Sequence, residues 1–119
     1  MSTNGKEVKN MENKKNYKDL LPIGSVVGLE DTDPYILICG RIVCAEGDER
    51  IYDYTGCLYP EGIGREDELV FFDREAIDRV YFIGYQDEYE LMYRTEVLDK
   101  LGELEVIDGE MVEKEAADE

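Results

Sequence analysis

Three kinds of side chain in this sequence could do chemistry: thirty acids, three cysteines and nine tyrosines, with no histidine. Without histidine the ordinary general base of neutral pH is missing. Carboxylates could pair as acid and base, in which case neutralising a single acid such as Asp53 would abolish turnover, or they could bind calcium. Asp31 with Asp33, and the run Glu66, Asp67, Glu68, lack the oxygen-ligand loop of an EF-hand, and solvated acidic turns account for them. Cys39, Cys44 and Cys57 are odd in number, form no CxxC pair and have no histidine to complete a zinc site. Buried reduced thiols are the expectation, with a redox or nucleophilic role as the alternative. The Gly62-Ile63-Gly64 stretch is too short for a Walker loop or a dinucleotide fingerprint. The inventory predicts a non-enzymatic protein with no catalytic, cofactor or metal residues.

Tyrosine is the unusual component. Tyr52, Tyr54 and Tyr59 cluster in the stretch from Ile51 to Gly64, with Tyr81 and Tyr85 further on. Tyrosine offers large contact area at low entropic cost and is enriched at interfaces. Packing within a sheet, with the hydroxyl at the rim, explains it equally well. Tyr54 and Tyr59 are the candidates for an exposed recognition surface.

The charge balance narrows the partners. Thirteen basic residues against thirty acidic ones give a net charge of −17. Residues 1–19 are basic, with five lysines against three acids, whereas 20–85 and 86–119 carry −9 and −10. Such a field repels phosphate backbones and anionic headgroups, so neither nucleic acid nor a membrane is expected as a partner. A basic protein surface is compatible. No stretch resembles a signal peptide or a spanning helix, which makes the cytoplasm the default location.

Residues 1–18 are rich in Asn and Lys and predict a disordered leader, within which Met11 offers an alternative start. A single domain is expected over 19–102 and an acidic mobile tail over 103–119, with Leu104, Val106 and Ile107 offering an edge strand. Pro22 and Gly24 set a turn into a first strand, Ser25 to Leu29. Tyr35 to Ala45 is the most apolar run and the central strand, and Gly40 inside it marks a bulge or bend. Ile51 to Tyr59 is a third strand of unassigned core face, where Gly56 leaves room for a ring over the backbone. Leu69 to Phe72 is a short strand, Asp73 caps a brief helix, and Val80 to Tyr85 is the last strand. Gln86 to Leu101 reads as a helix stopped by Gly102. Tyr89, Met92, Tyr93, Val97 and Leu101 form its apolar stripe. Leu91 and Leu98 lie opposite, either as ordinary surface leucines or as a second face that docks a partner helix. The predicted fold is a small α+β domain. It has a twisted, mostly antiparallel sheet of four to five strands, a short helix before the last strand and a C-terminal helix packed on the sheet.

The segments LLPIGSVVGL, GRI, YDYTGCLYPEGI and FFDREAIDRVYFIGYQDE, spread over Leu20 to Leu101, resemble a family described only as a domain of unknown function. Its members are small proteins encoded in Gram-positive type VII secretion loci, often beside toxins with an LXG domain. The resemblance brings no catalytic residues. It implies a cytoplasmic chaperone or targeting adaptor for the co-encoded toxin, or an immunity protein that neutralises the toxin domain.

Overall fold

The structure is a computed structural model that describes residues 16–65 and 68–114. It contains a five-stranded antiparallel sheet in the order β4-β3-β2-β1-β5, built from β1 (Val26–Leu29), β2 (Tyr35–Cys44), β3 (Ile51–Tyr59), β4 (Val70–Phe72) and β5 (Ile77–Phe82). A helix, α1 (Glu88–Glu96), follows the sheet, and β6 (Leu104–Ile107) with β7 (Glu110–Glu113) forms a separate hairpin. This is the α+β architecture expected, with β2 in the middle of the sheet.

Side-chain alternation divides the sheet into two faces. Val27, Ile36, Ile38, Tyr54 and Phe72 are buried together with Leu20, and Leu29, Val70 and Ile77 pack around them. The register agrees: Val27 lies opposite Ile36, Ile38 opposite Gly56, and Tyr54 opposite Phe72. Leu20 and Leu21 belong to a strap that begins with a 3-10 turn at Tyr17–Asp19 and crosses this face. Tyr17, inside the predicted leader, packs against the same core; residues 1–15 and Met11 lie outside the described residues.

Gly40 does mark a bulge, with the β2–β3 register shifting between Ile38 and Gly40. Just beyond it Ile42 sits at φ +57°, a conformation that a β-branched residue adopts only under strain. Gly56 has a different use from the one its position suggested. A Cβ there would lie 2.5 Å from the Leu37 carbonyl oxygen and 2.6 Å from the Ile36 side chain, so the missing side chain admits the neighbouring strand and not a ring.

The other departures are local. The brief helix after Asp73 is a 3-10 turn, Arg74–Ala76, and β5 begins three residues earlier than the apolar run alone implied. The last helix is shorter, ending at Glu96, and a 3-10 turn, Leu98–Lys100, follows it. Part of the predicted tail forms a hairpin. Asp108 at φ +53° and Gly109 at φ +81° make the two-residue turn between β6 and β7, for which Asp-Gly is a favoured pair. Glu113 accepts the Gly102 N–H at 2.8 Å and Lys114 N–H donates to the Glu103 carbonyl at 2.8 Å, which closes the hairpin base.

Gly56→Ala should therefore destabilise the domain by about 3 kcal/mol through overpacking against backbone. Gly109→Ala should cost about 1 kcal/mol, through the left-handed conformation alone. Urea unfolding of the two variants measures both, and a smaller loss at Gly56 than at Gly109 would contradict the close strand approach.

Candidate functional site

The face of the sheet opposite the core carries the aromatic surface. Tyr59 of β3, Tyr35 of β2 and Tyr81 of β5 stand in a row across the strands. Tyr35 and Tyr81 have ring centroids 4.1 Å apart and planes 18° apart; Tyr35 and Tyr59 are 6.4 Å and 12° apart. Tyr81 reaches Tyr35 only by crossing β1, and Gly28 makes this crossing possible: a Cβ there would lie 3.2 Å from Tyr81 Cε2. Tyr35, Tyr59 and Tyr81 remain 40%, 49% and 44% exposed, and the neighbouring Phe82 is 60% exposed. Three stacked rings left this open to water form a ready contact surface.

Cys57 shares this face and is buried beneath its neighbours, whereas Cys39, on the bulge, is exposed. The expectation of three buried thiols is thus corrected at Cys39, which the bulge carries out of the regular alternation. Partial burial, together with the adjacent Cys57 thiol, pushes the Cys39 pKa up, which disfavours the nucleophilic thiolate. Cys44 is half-buried and donates to the Asp48 carbonyl.

Helix α1 is held by charge. Asp87 caps it, accepting the N–H groups of Tyr89 and Glu90. Glu90 takes two hydrogen bonds from Arg41 of β2, at 2.9 and 3.0 Å, and one from Arg94 at 2.6 Å. Arg41 also donates to the Leu21 carbonyl, and Arg94 to the carbonyls of Lys18 and Leu20, so both guanidiniums grip the strap. Arg41 further lies over the Tyr93 ring, 5.3 Å from its centroid. Of the predicted apolar stripe only Leu101 is partly buried. Tyr89, Met92, Tyr93 and Val97 are all exposed, because the strap with Leu20 and Leu21 already covers the core face of the sheet.

The four residues singled out for partner contact separate into two pairs. Tyr59 lies in the exposed tyrosine row and Leu91 is exposed on α1. Tyr54 and Leu98 are only 2% and 1% exposed, so the expectation that they present a surface is corrected. Tyr54 is a core ring whose hydroxyl oxygen accepts the Leu21 N–H at 2.8 Å, and burial raises its pKa. Leu98 is buried within the 3-10 turn that packs on the Tyr17–Asp19 turn. The structure does not bring Tyr59 and Leu91 into one constellation; Tyr35 and Tyr81 are the companions of Tyr59 that the sequence reading missed. Tyr35 is the direct partner of Gly28 from β2, whereas from β5 that partner is Arg79, two residues before Tyr81, so the spacing alone does not join the two rings.

Asp53 and Asp73 are held in structural pairs. Asp53 is buried and accepts from the backbone and guanidinium of Arg74 at 2.9 Å, while Asp73 accepts the Asp53 N–H and pairs with Arg50. An open depression lined by Arg50, Tyr52, Phe71 and Asp73 lies beside them, with the Arg50 guanidinium over the Tyr52 ring. Of the acidic run 66–68, Glu68 is tied to the N–H groups of Gly64 and Arg65, and the other two lie outside the described residues. Among the described residues no group of three or more His, Cys, Asp or Glu could hold a metal ion.

The architecture defines a small α+β domain, and no helix among its described residues is long and apolar enough to cross a membrane. The chain belongs to the family termed Domain of unknown function (DUF4176), whose model matches residues 20–93, from the strap through the first part of α1. Comparisons with curated proteins and with solved structures give no match.

The helix attachment should be sensitive to acid. The hydrogen bond from Arg41 holds the Glu90 carboxyl below the usual carboxylate range, against the opposing effect of burial and with further lowering by the Arg41 and Arg94 charges. A depressed pKa contributes stability that is present above the ordinary value of 4.5 and is lost as pH falls through the lowered one. Hydrogen exchange should show α1 amides losing protection in that window ahead of those of β2 and β3. Glu90→Ala should loosen α1 at neutral pH at a cost of about 2 kcal/mol. Simultaneous loss of protection in sheet and helix would contradict this attachment.

Proposed function

We propose that this protein is a non-enzymatic accessory factor that binds another protein, with the client a co-encoded LXG-type toxin destined for type VII secretion. The observation that supports binding is the tyrosine row on the open sheet face, where Tyr35, Tyr59 and Tyr81 keep 40%, 49% and 44% of their surface exposed. Exposed leucine and tyrosine on α1 offer a separate contact area. Resemblance to proteins encoded beside such toxins supplies the client, and a chaperone or targeting adaptor is the role it fits, acting in the cytoplasm before export. The net charge of −17 favours a second reading, an immunity protein that covers the basic active site of a nuclease toxin.

Co-purification with separately expressed pieces of the neighbouring toxin distinguishes the two. Capture by the N-terminal or linker piece is the adaptor outcome; capture only by the C-terminal toxic piece, with protection of cells, is the immunity outcome. Tyr59→Ser should weaken capture about tenfold if the row is central to the contact. Leu91→Ser reports separately on α1. Failure to bind either piece would remove the toxin from the proposal.

A further inference from the structure

Among the described residues, strand β5 closes one side of the sheet with β1 as its only strand neighbour, so its other edge presents backbone N–H and C=O groups that no described strand pairs. The opposite edge, β4, has three residues, whereas β5 has six, and Asp78 through Phe82 are all exposed. Val80, Tyr81 and Phe82 occupy this edge, and no proline interrupts it. The tyrosine row also ends here: its last ring, Tyr81, stacks on Tyr35 and has the Arg79 guanidinium 6.0 Å from its centroid. That distance is at the outer limit of a cation–π contact, so the chain already places a cation loosely at this ring.

The charges around the edge select the occupant. Asp78 and Arg79 offset one another on β5, and the Glu30 N–H donates to the Ala76 carbonyl at 2.9 Å, which sets the acidic β1–β2 turn beside the start of β5. Glu30, Asp31 and Asp33 of that turn are exposed. A second copy of the chain would bring another −17 to the same edge, whereas a cationic segment is attracted to it.

We infer that β5 is a docking edge that takes an extended partner segment by strand addition, with arginine or lysine at alternate positions and one cation set against Tyr81. Backbone pairing supplies affinity in this mode, and alternate side chains supply selection. The inference rests on the protein-binding reading above and specifies how a client would be held.

The test titrates the full-length, isotope-labelled protein with an acetylated peptide of alternating arginine and threonine. Two versions carry methyl groups on complementary sets of alternate backbone nitrogens, and a glutamate–threonine peptide is the charge control. The arginine peptide should shift and slow the exchange of amides 78–82. Methylation of one set should weaken it about tenfold while the other set is tolerated. Tyr81→Ser, an exposed position checked for retained folding by thermal melting, should weaken it by about the same factor. Equal binding of both methylated peptides overturns strand addition, as does a shift pattern spread over the acidic surface without protection of β5. Sedimentation that shows a dimer protecting β5 without peptide overturns the cationic occupant. Client capture reads the protein-binding proposal separately: a client held equally well by Tyr81→Ser would remove the edge and leave that proposal standing.

Discussion

Arg41, Glu90 and Arg94 form the joint on which the arrangement of this domain depends. The strap over the core face is irregular chain, and its carbonyls at Lys18, Leu20 and Leu21 have no place in a sheet ladder. Backbone polar groups next to a core must be paired, or the segment would not stay there. Two guanidiniums do this pairing, and Glu90 bridges both from α1. Tyr54 completes the set from beneath by accepting the Leu21 N–H. The side chains of Arg41 and Glu90 are only 7% and 12% exposed, so neither charge could remain there without the other. The helix is positioned by the carboxylate it brings to this joint, and its apolar residues are left to water.

That division fixes which surfaces are available. A domain of this size has one small core, and the strap, with Leu20 and Leu21, covers it from one side. Among the described residues no comparable strap crosses the other sheet face, and its rings cover each other instead. Gly28 is decisive here: by lacking a side chain it lets Tyr81 lie across β1 onto Tyr35, which shields the backbone of a strand that would otherwise be bare. Stacking thus makes the face orderly without making it buried.

The strands were legible because their signals are local. The apolar run of β2, the bulge at Gly40 and the turn at Pro22 and Gly24 are each encoded within a few residues, and each appears where the sequence places it. The helix stripe was misleading because periodicity reports an amphipathic face and not the surface it meets. Only the strap, an irregular segment with no period, decided that Tyr89 and Met92 would face solvent. Tyr54 and Tyr59 are five residues apart on one strand, so an odd spacing puts them on opposite faces; the bare alternation could not say which face was core. The Asp108-Gly109 turn, by contrast, was readable, but the surrounding acidic composition masked it. The polar joint was the least legible part, since Arg41 and Glu90 are forty-nine positions apart and carry no periodic mark.

Acidity and aromatic exposure support one another in this fold. An uncovered row of rings on a neutral protein would invite association between copies, because apolar contact does not discriminate between partners. A charge of −17 opposes the approach of a second copy while leaving the rings accessible to a cationic chain. The protein's own contacts show that pairing three times over: Arg41 lies over Tyr93, Arg50 over Tyr52 and Arg79 near Tyr81. Each joins an arginine to a tyrosine ring in a background of excess acid. A cationic segment arriving at the open face would therefore meet the same combination, carboxylates that attract it over distance and rings that hold it at contact.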